Sequence, residues 1–409
     1  MCGRAAFLFI SIVCPAFLCM TSPMANEIPG PGLQNKAQLR PAAFDELAGW
    51  RRDNHQQTWS VFVEHCRAIT GSLTPLRAGA PASTTLVMTC GRALTLETPE
   101  TNMQARLNFE SLFTAHEILP LAVENPYDSG FLTGYYEPVV AGSLTPTPDF
   151  SEPVLGRPPD LINLTPDNTP AGFPTGLASA RRKADGSLEP FPDRAAIENA
   201  GAVSGAPPLL WVRDGIELFM IQVQGSARIR LPDGRLIRLT YAGRNGLPYS
   251  SIGKLMVERG HVPSAELTLA RLKEWVRENG QEPGEAGRML MQENRSYVFF
   301  KVDDTLSEDS GPVGAASIPL TPLRSIAVDR TLWPYGLPMW IDAKIPWRRN
   351  ELQNFRRLMI AQDTGSAIIG AARADLFFGT GEKAGRLAAG IRHRARMFVL
   401  LPRESEAGQ

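Results

Sequence analysis

Three aspartates have the strongest claim to chemistry in this sequence: Asp329, Asp363 and Asp375, each beginning or following a strand-like segment among turns. Asp375 differs from the other two because Leu376, Phe377 and Phe378 follow it. An apolar surround penalises the charged carboxylate, raises its pKa and leaves a proton available near neutral pH, which is what a general acid needs. The plainer reading is that Asp375 caps the turn Gly379-Thr380-Gly381, since short acidic side chains often bond to nearby backbone.

Asp363-Thr364-Gly365 has the form of one half of an aspartic-protease dyad, but Gln362 stands where an apolar residue is wanted and no second half occurs. Asp-x-Gly is also a common turn, so the protease reading is set aside. Gly134-Tyr135-Tyr136-Glu137-Pro138 clusters two aromatics with an acid, and Gln222-Val223-Gln224-Gly225-Ser226 reads as a strand with two amides on one face. Aromatic faces and amides are the groups that hold sugar rings. The ordinary alternatives are half-buried strand tyrosines and a wet sheet face. The five histidines and five cysteines form no His-x-x-x-His or Cys-x-x-Cys spacing, so no metal site and no cofactor is expected. His116-Glu117 reads as a surface adjacency.

The elements that must position these groups are mainly strands. Helices are expected over about 41–70 and 99–117, the second opened by Thr98 and Pro99. The Pro-rich stretch Pro138 to Gly176 reads as an ordered loop or domain boundary, because its prolines oppose a helix or a central strand. Period-two alternation from Leu209 to Leu239, with Pro232-Asp233-Gly234 as a hairpin turn, predicts antiparallel sheet. Pro263-Ser264 then opens a helix stopped by Gly280. Short strands follow at Tyr297 to Val302, Arg324 to Val328, Met339 to Ile341, Leu358 to Gln362 and Met397 to Leu401, with turns at Pro334-Tyr335-Gly336 and Gly379-Thr380-Gly381. That pattern argues for a closed β-barrel.

With 409 residues, 43% of them hydrophobic, the chain can form two or three packed domains. Its 42 basic and 42 acidic residues balance, so no broad positive field exists to gather nucleic acid. Arg4, the apolar run Ala5 to Met20 and the small residues Thr21 to Ala25 read as an export signal over residues 1–25. Leu18 before Cys19 is not the small residue that lipid attachment at Cys19 would want. Beyond the signal only Cys66 and Cys90 remain, and two thiols in an oxidising compartment are a disulfide candidate.

Six blocks in order, GYYEP (134–138), QVQGSARI (222–229), YAGRNGLPYSSIGK (241–254), NRSYVFFK (294–301), AVDR (327–330) and QDTGSAIIGAARADLFFGTG (362–381), resemble the membrane-bound lytic transglycosylase A family with its C-terminal 3D domain. The resemblance implies an α+β protein, mainly β, with a double-psi β-barrel formed by residues 26–140 and 308–409 and a barrel-like β-domain inserted at 141–307. A groove would lie between them. It implies that Asp375 is the catalytic acid, that Asp363 and Asp329 support it, and that Tyr135, Tyr136, Glu137, Gln222, Gln224, Tyr241 and Asn245 line the groove. The implied reaction is cleavage between N-acetylmuramic acid and N-acetylglucosamine with a 1,6-anhydro product, in an exported, periplasmic protein attached to the outer membrane if Cys19 carries lipid. Its partner is the peptidoglycan glycan strand; other cell-wall enzymes and outer-membrane lipid are further candidates. Two rivals stay open: a hydrolase using Asp375 as acid with Asp363 or Glu137 as base, and a wall-binding module without catalysis.

Overall fold

The computed structural model describes residues 33–121, 129–165, 167–200, 205–304, 307, 309–349 and 351–404. The expected signal, Cys19 included, lies outside them. The chain enters as β1 (Ala37–Ala42) and then forms α1 (His55–Thr70), α2 (Thr84–Thr95) and α3 (Asn102–Leu112). Asn54, Ser83 and Thr101 open these helices, each accepting a first-turn N–H on its side chain, which satisfies a donor that the helix itself cannot. Trp50, Trp59, Phe62, Phe109 and Phe113 pack between the helices and a sheet face bearing Trp340, Leu358 and Phe398. Cys66 on α1 and Cys90 on α2 are joined by a disulfide, with Cα atoms 4.8 Å apart. Protein lacking residues 1–25, denatured without reductant, should therefore show no free thiol by mass-tagging; two tagged cysteines would disprove the bond.

The expected helices are shorter than their sequence patterns. α1 begins only at His55, and after α3 the chain becomes β2 (Phe113–Pro120). His116 and Glu117 are therefore buried in the sheet rather than at the surface, with Glu117 held between Arg40 and Arg396. β3 (Gly130–Glu137) follows, carrying the tyrosine pair.

Next comes a long insertion: β4 (Val139–Ser143), β5 (Glu152–Leu155), β6 (Leu161–Asn163), β7 (Ser179–Arg182), β8 (Leu188–Pro190), α4 (Arg194–Ala200), β9 (Pro208–Val212), α5 (Gly215–Gln224), β10 (Ser226–Arg230), β11 (Leu236–Arg244), α6 (Ile252–Glu258), α7 (Leu269–Glu278), α8 (Ala286–Gln292) and β12 (Val298–Asp303). Six strands form one sheet in the order β12-β11-β10-β4-β9-β5, whose two edges meet at a bridge between Gly156 and Phe300. β6, β7 and β8 form a small separate sheet. The Pro-rich stretch is thus less loop-like than expected: β4 carries no proline and pairs on both sides, while Pro153 sits on β5 at the edge, where a missing N–H costs no pairing.

The expected strand between Leu209 and Leu239 is interrupted by α5. Asp214 caps its start and Gly225, at φ 80°, ends it in the left-handed region. Gln222 and Gln224 are therefore in the last turn of a helix and do not share a strand face. The hairpin turn at Pro232-Asp233-Gly234 joins β10 and β11 as expected. α7 starts at Leu269 behind the cap Thr268, after a 3-10 turn at Ser264–Glu266.

The chain then returns to the first sheet with β13 (Ser325–Val328), β14 (Pro338–Ile345), β15 (Gln353–Asp363), β16 (Arg373–Thr380), α9 (Glu382–Ala389) and β17 (Arg392–Pro402). Its order is β1-β2-β17-β14-β15-β13-β16-β3, and β17 also pairs with β3. That pairing closes a ring running β17-β14-β15-β13-β16-β3, filled by Leu132, Ile326, Val328, Met339, Ile341, Leu376, Met397 and Val399. The protein is a mixed α+β structure in which strands from both ends of the sequence make one barrel.

Candidate active site

β13 is the centre of the site. It runs parallel to β15, where Ala327 faces Asp363 across a bulge, and antiparallel to β16, where the same Ala327 faces Asp375. The small alanine between them leaves both carboxylates room to reach one cleft. β3 lies on the far side of β16 and sets Thr133 opposite Asp375 and Tyr135 opposite Phe377. Side chains two residues apart on a strand share a face. Thr133 and Tyr135 therefore stand with Asp375 and Phe377, and the Tyr135 ring packs on Phe377 at 5.3 Å.

The Thr133 hydroxyl donates to Asp375 Oδ1 at 2.6 Å and accepts from Arg373 Nη2 at 2.7 Å. Asp375 Oδ2 has no hydrogen-bonding partner among the described residues, and the side chain lines the cleft. Burial raises the Asp375 pKa to about 6 and the Asp363 charge adds to the rise, against the opposing pull of Arg373 and Thr133. At neutral pH a useful fraction remains protonated. Thr133→Val removes a donor that favours the charged form, so the Asp375 titration should move to higher pH. An NMR titration of the aspartate carboxyls reads this; an unmoved or downward-shifted midpoint contradicts the assignment.

Asp363 is placed differently. Its Oδ1 accepts from Ala315 N and Thr364 N at 2.9 and 2.8 Å, and Oδ2 accepts from the Tyr135 hydroxyl at 2.9 Å. Burial raises its pKa despite these three donors. Both of its oxygens are occupied, so it acts on Asp375 through charge. Asp329 stands behind the cleft, accepting from Thr331 N and Oγ1 and from Gly370 N. It thereby fixes the segment that links β15 to β16.

Of the expected groove residues, Tyr135, Gln222, Gln224 and Tyr241 line the cleft with Asp375 and Asp363. Gln222 gives its amide N–H to Val298 O, and its Oε1 is buried with no hydrogen-bonding partner among the described residues. Gln224 accepts from Tyr136 N. Three others stand elsewhere. The Tyr136 ring packs on Gly385, where a Cβ would come within 2.7 Å, and lines neighbouring hollows instead. Asn245 is fully buried, its amide spent on Pro192 O, Arg295 O, Leu247 N and Tyr297 N. Glu137 is also fully buried, with Oε2 bonded to Arg228 and Thr380 and Oε1 beside Arg238 at 3.3 Å. It fastens β3 to the inserted sheet.

Residues not foreseen complete the site: Thr133 and Arg373 brace Asp375, and Arg77, Arg244 and Ser366 line the cleft. Thr133 adjoins the tyrosine pair and Arg373 lies two residues before Asp375, so their positions on those strands offered a local signal. Arg77, on the loop between α1 and α2, offered none.

Residues 131–301 match the family model for the MltA specific insert domain, and residues 324–401 match the 3D domain. A crystal structure of membrane-bound lytic murein transglycosylase from Agrobacterium tumefaciens is similar over 89% of this chain and 98% of its own, with 33% identity and a TM-score of 0.76. The chain belongs to the membrane-bound lytic murein transglycosylase A family. Another family structure, MltA from Neisseria gonorrhoeae, is 29% identical, with a TM-score of 0.70 over 92% of this chain and 96% of its own. Membrane-bound lytic murein transglycosylase A of Escherichia coli is 31% identical over 67% of this chain, and the match spans 66% of that relative's length.

Proposed function

We propose that this chain is a peptidoglycan lytic transglycosylase in which Asp375 is both general acid and general base. The reading rests on one observation: a single carboxyl, with its pKa near 6 and one oxygen unpartnered, lines the cleft, while the other candidate carboxylates are already engaged. Asp375 gives its proton to the oxygen between N-acetylmuramic acid and N-acetylglucosamine as the anomeric C–O bond breaks. The 6-hydroxyl oxygen of the same muramic residue then bonds to the anomeric carbon, and its proton passes to the ionised Asp375. An intramolecular nucleophile needs neither a second carboxylate nor water, because effective molarity replaces the positioned reactant. Asp363 raises the Asp375 pKa and Asp329 holds the adjoining segment.

A two-carboxylate hydrolase fits less well. It needs a base beside the acid, and Asp363 accepts three donors while Glu137 is buried against two arginines. Mass analysis of digested peptidoglycan separates the readings: anhydro ends lighter than reducing ends by one water are expected, and exclusively reducing ends would overturn the mechanism. Loss of all fragment release in Asp375→Asn would exclude a pure binding module.

The barrel is read as double-psi in type, with 26–140 and 308–409 as the catalytic domain and 141–307 as the inserted one. Cleavage by a protease confined to the neighbourhood of residues 140 and 307 is the expected sign of that division, and scattered cuts would oppose it. The signal-like start and the membrane-bound relatives support export to the periplasm, with the outer membrane as the site of attachment. Cell fractionation that left the protein in the cytoplasm would refute this.

A further inference from the structure

One end of the cleft is unusually basic. Arg77, Arg244 and Arg330 converge there around Tyr241 and Tyr335, and the charges of Arg77 and Arg330 both bear on Arg244. Arg77 donates to Thr364 O at 2.9 Å and its guanidinium lies 5.5 Å from the Tyr241 ring centre. Arg244 donates to Ser366 Oγ, and Arg330 to Ala78 O. Each is held by a neutral oxygen, and none is ion-paired with a carboxylate among the described residues. Gathering half-buried like charges is costly, and the Asp363 and Asp329 carboxylates bear on Arg77 and Arg330 through charge without an ion-pair contact among the described residues. Burial and its two basic neighbours lower the Arg244 pKa to about 10. Arg77 and Arg244 line the same cleft as Asp375.

We propose that Arg77 and Arg244, backed by Arg330, form a carboxylate-binding subsite beside Asp375 that takes the acidic substituent of a muramic residue. This rests on the glycan reading above. The planar forks of arginine suit a carboxylate bidentately, and bonds to charged groups repay the stored repulsion. Muramic acid supplies that group either as its own lactyl carboxylate, on strands stripped of peptide, or as the carboxylates of the attached peptide stem. N-acetylglucosamine supplies neither. The subsite would therefore tell a muramic unit from its neighbour and set which glycosidic oxygen lies against Asp375.

The test uses the full chain with Asp375→Asn, so that ligands survive, and measures Kd for three soluble glycans of equal length: strands with peptide stems, stripped strands with free lactyl groups, and an uncharged N-acetylglucosamine oligosaccharide. Arg244→Gln, and separately Arg77→Gln, should weaken an acidic glycan by about tenfold or more and leave the uncharged one unaltered. Arg244→Lys, which keeps the charge, should retain part of the affinity. A loss confined to peptide-bearing strands assigns the stem carboxylates, and a loss on stripped strands assigns the lactyl group. Equal weakening for all three ligands, or for none, overturns the subsite. Failure of the Asp375→Asn chain to bind any of the three would overturn the glycan reading itself.

Discussion

Replacing Asp375 by asparagine should lower the release of soluble fragments from peptidoglycan by about 10²–10⁴-fold, the usual contribution of a positioned acid or base. Asparagine keeps the shape and can still accept from Thr133, so the cleft should stay assembled, but it carries no transferable proton. The same substitution should stabilise the fold at neutral pH. The Asp375 pKa is raised on folding to about 6, against about 3.9 for an unfolded aspartate. The native state therefore binds the proton more tightly, and stability falls as pH rises through that window. The ionised carboxylate burdens the fold fully above about pH 6 and not at all below the unfolded pKa. Thermal unfolding of the variant against the parent should show a gain at pH 7 that vanishes near pH 4. Undiminished turnover, or a stability loss equal at both pH values, would remove Asp375 from its role.

Glu137→Ala should be among the most destabilising single changes in the molecule. It would leave Arg228 and Arg238 facing a fully buried position where two carboxylate oxygens had stood. Removing one partner of a buried ion pair costs about 3–5 kcal/mol, expected here as a lower denaturation midpoint together with weakened seating of the inserted sheet on β3. A shift corresponding to less than about 1 kcal/mol, the range of exposed pairs, would show that the arginines find water instead.

The barrel was legible in the spacing of its short strands and turns, and the raised pKa of Asp375 in the apolar residues after it. Other parts were hidden for identifiable reasons. Gln222-Val223-Gln224 alternates like a strand, yet Asp214 and Gly225 bound a helix there; two end signals outweighed a short period-two run. Phe113–Pro120 continued the apolar pattern of α3 but paired with β1 and β17, where tertiary pairing overrides local preference. The family resemblance implied Glu137 and Asn245 as groove residues, and only the three-dimensional packing reveals how completely other protein groups occupy them. Arg77 reaches the cleft from a loop 287 residues away from its partner Thr364, a proximity that no local pattern encodes.

The closure of the barrel by β17 against β3 also orders events in the life of the molecule. Thr133 and Asp375 are 242 residues apart, and the last strand of the ring, Arg392–Pro402, leaves the ribosome after every other one. Until that strand pairs with β3 the ring is open, and an Asp375 exposed to water would have the acidity of any aspartate. The raised proton affinity of Asp375 is therefore a property of the closed ring and not of its own strand.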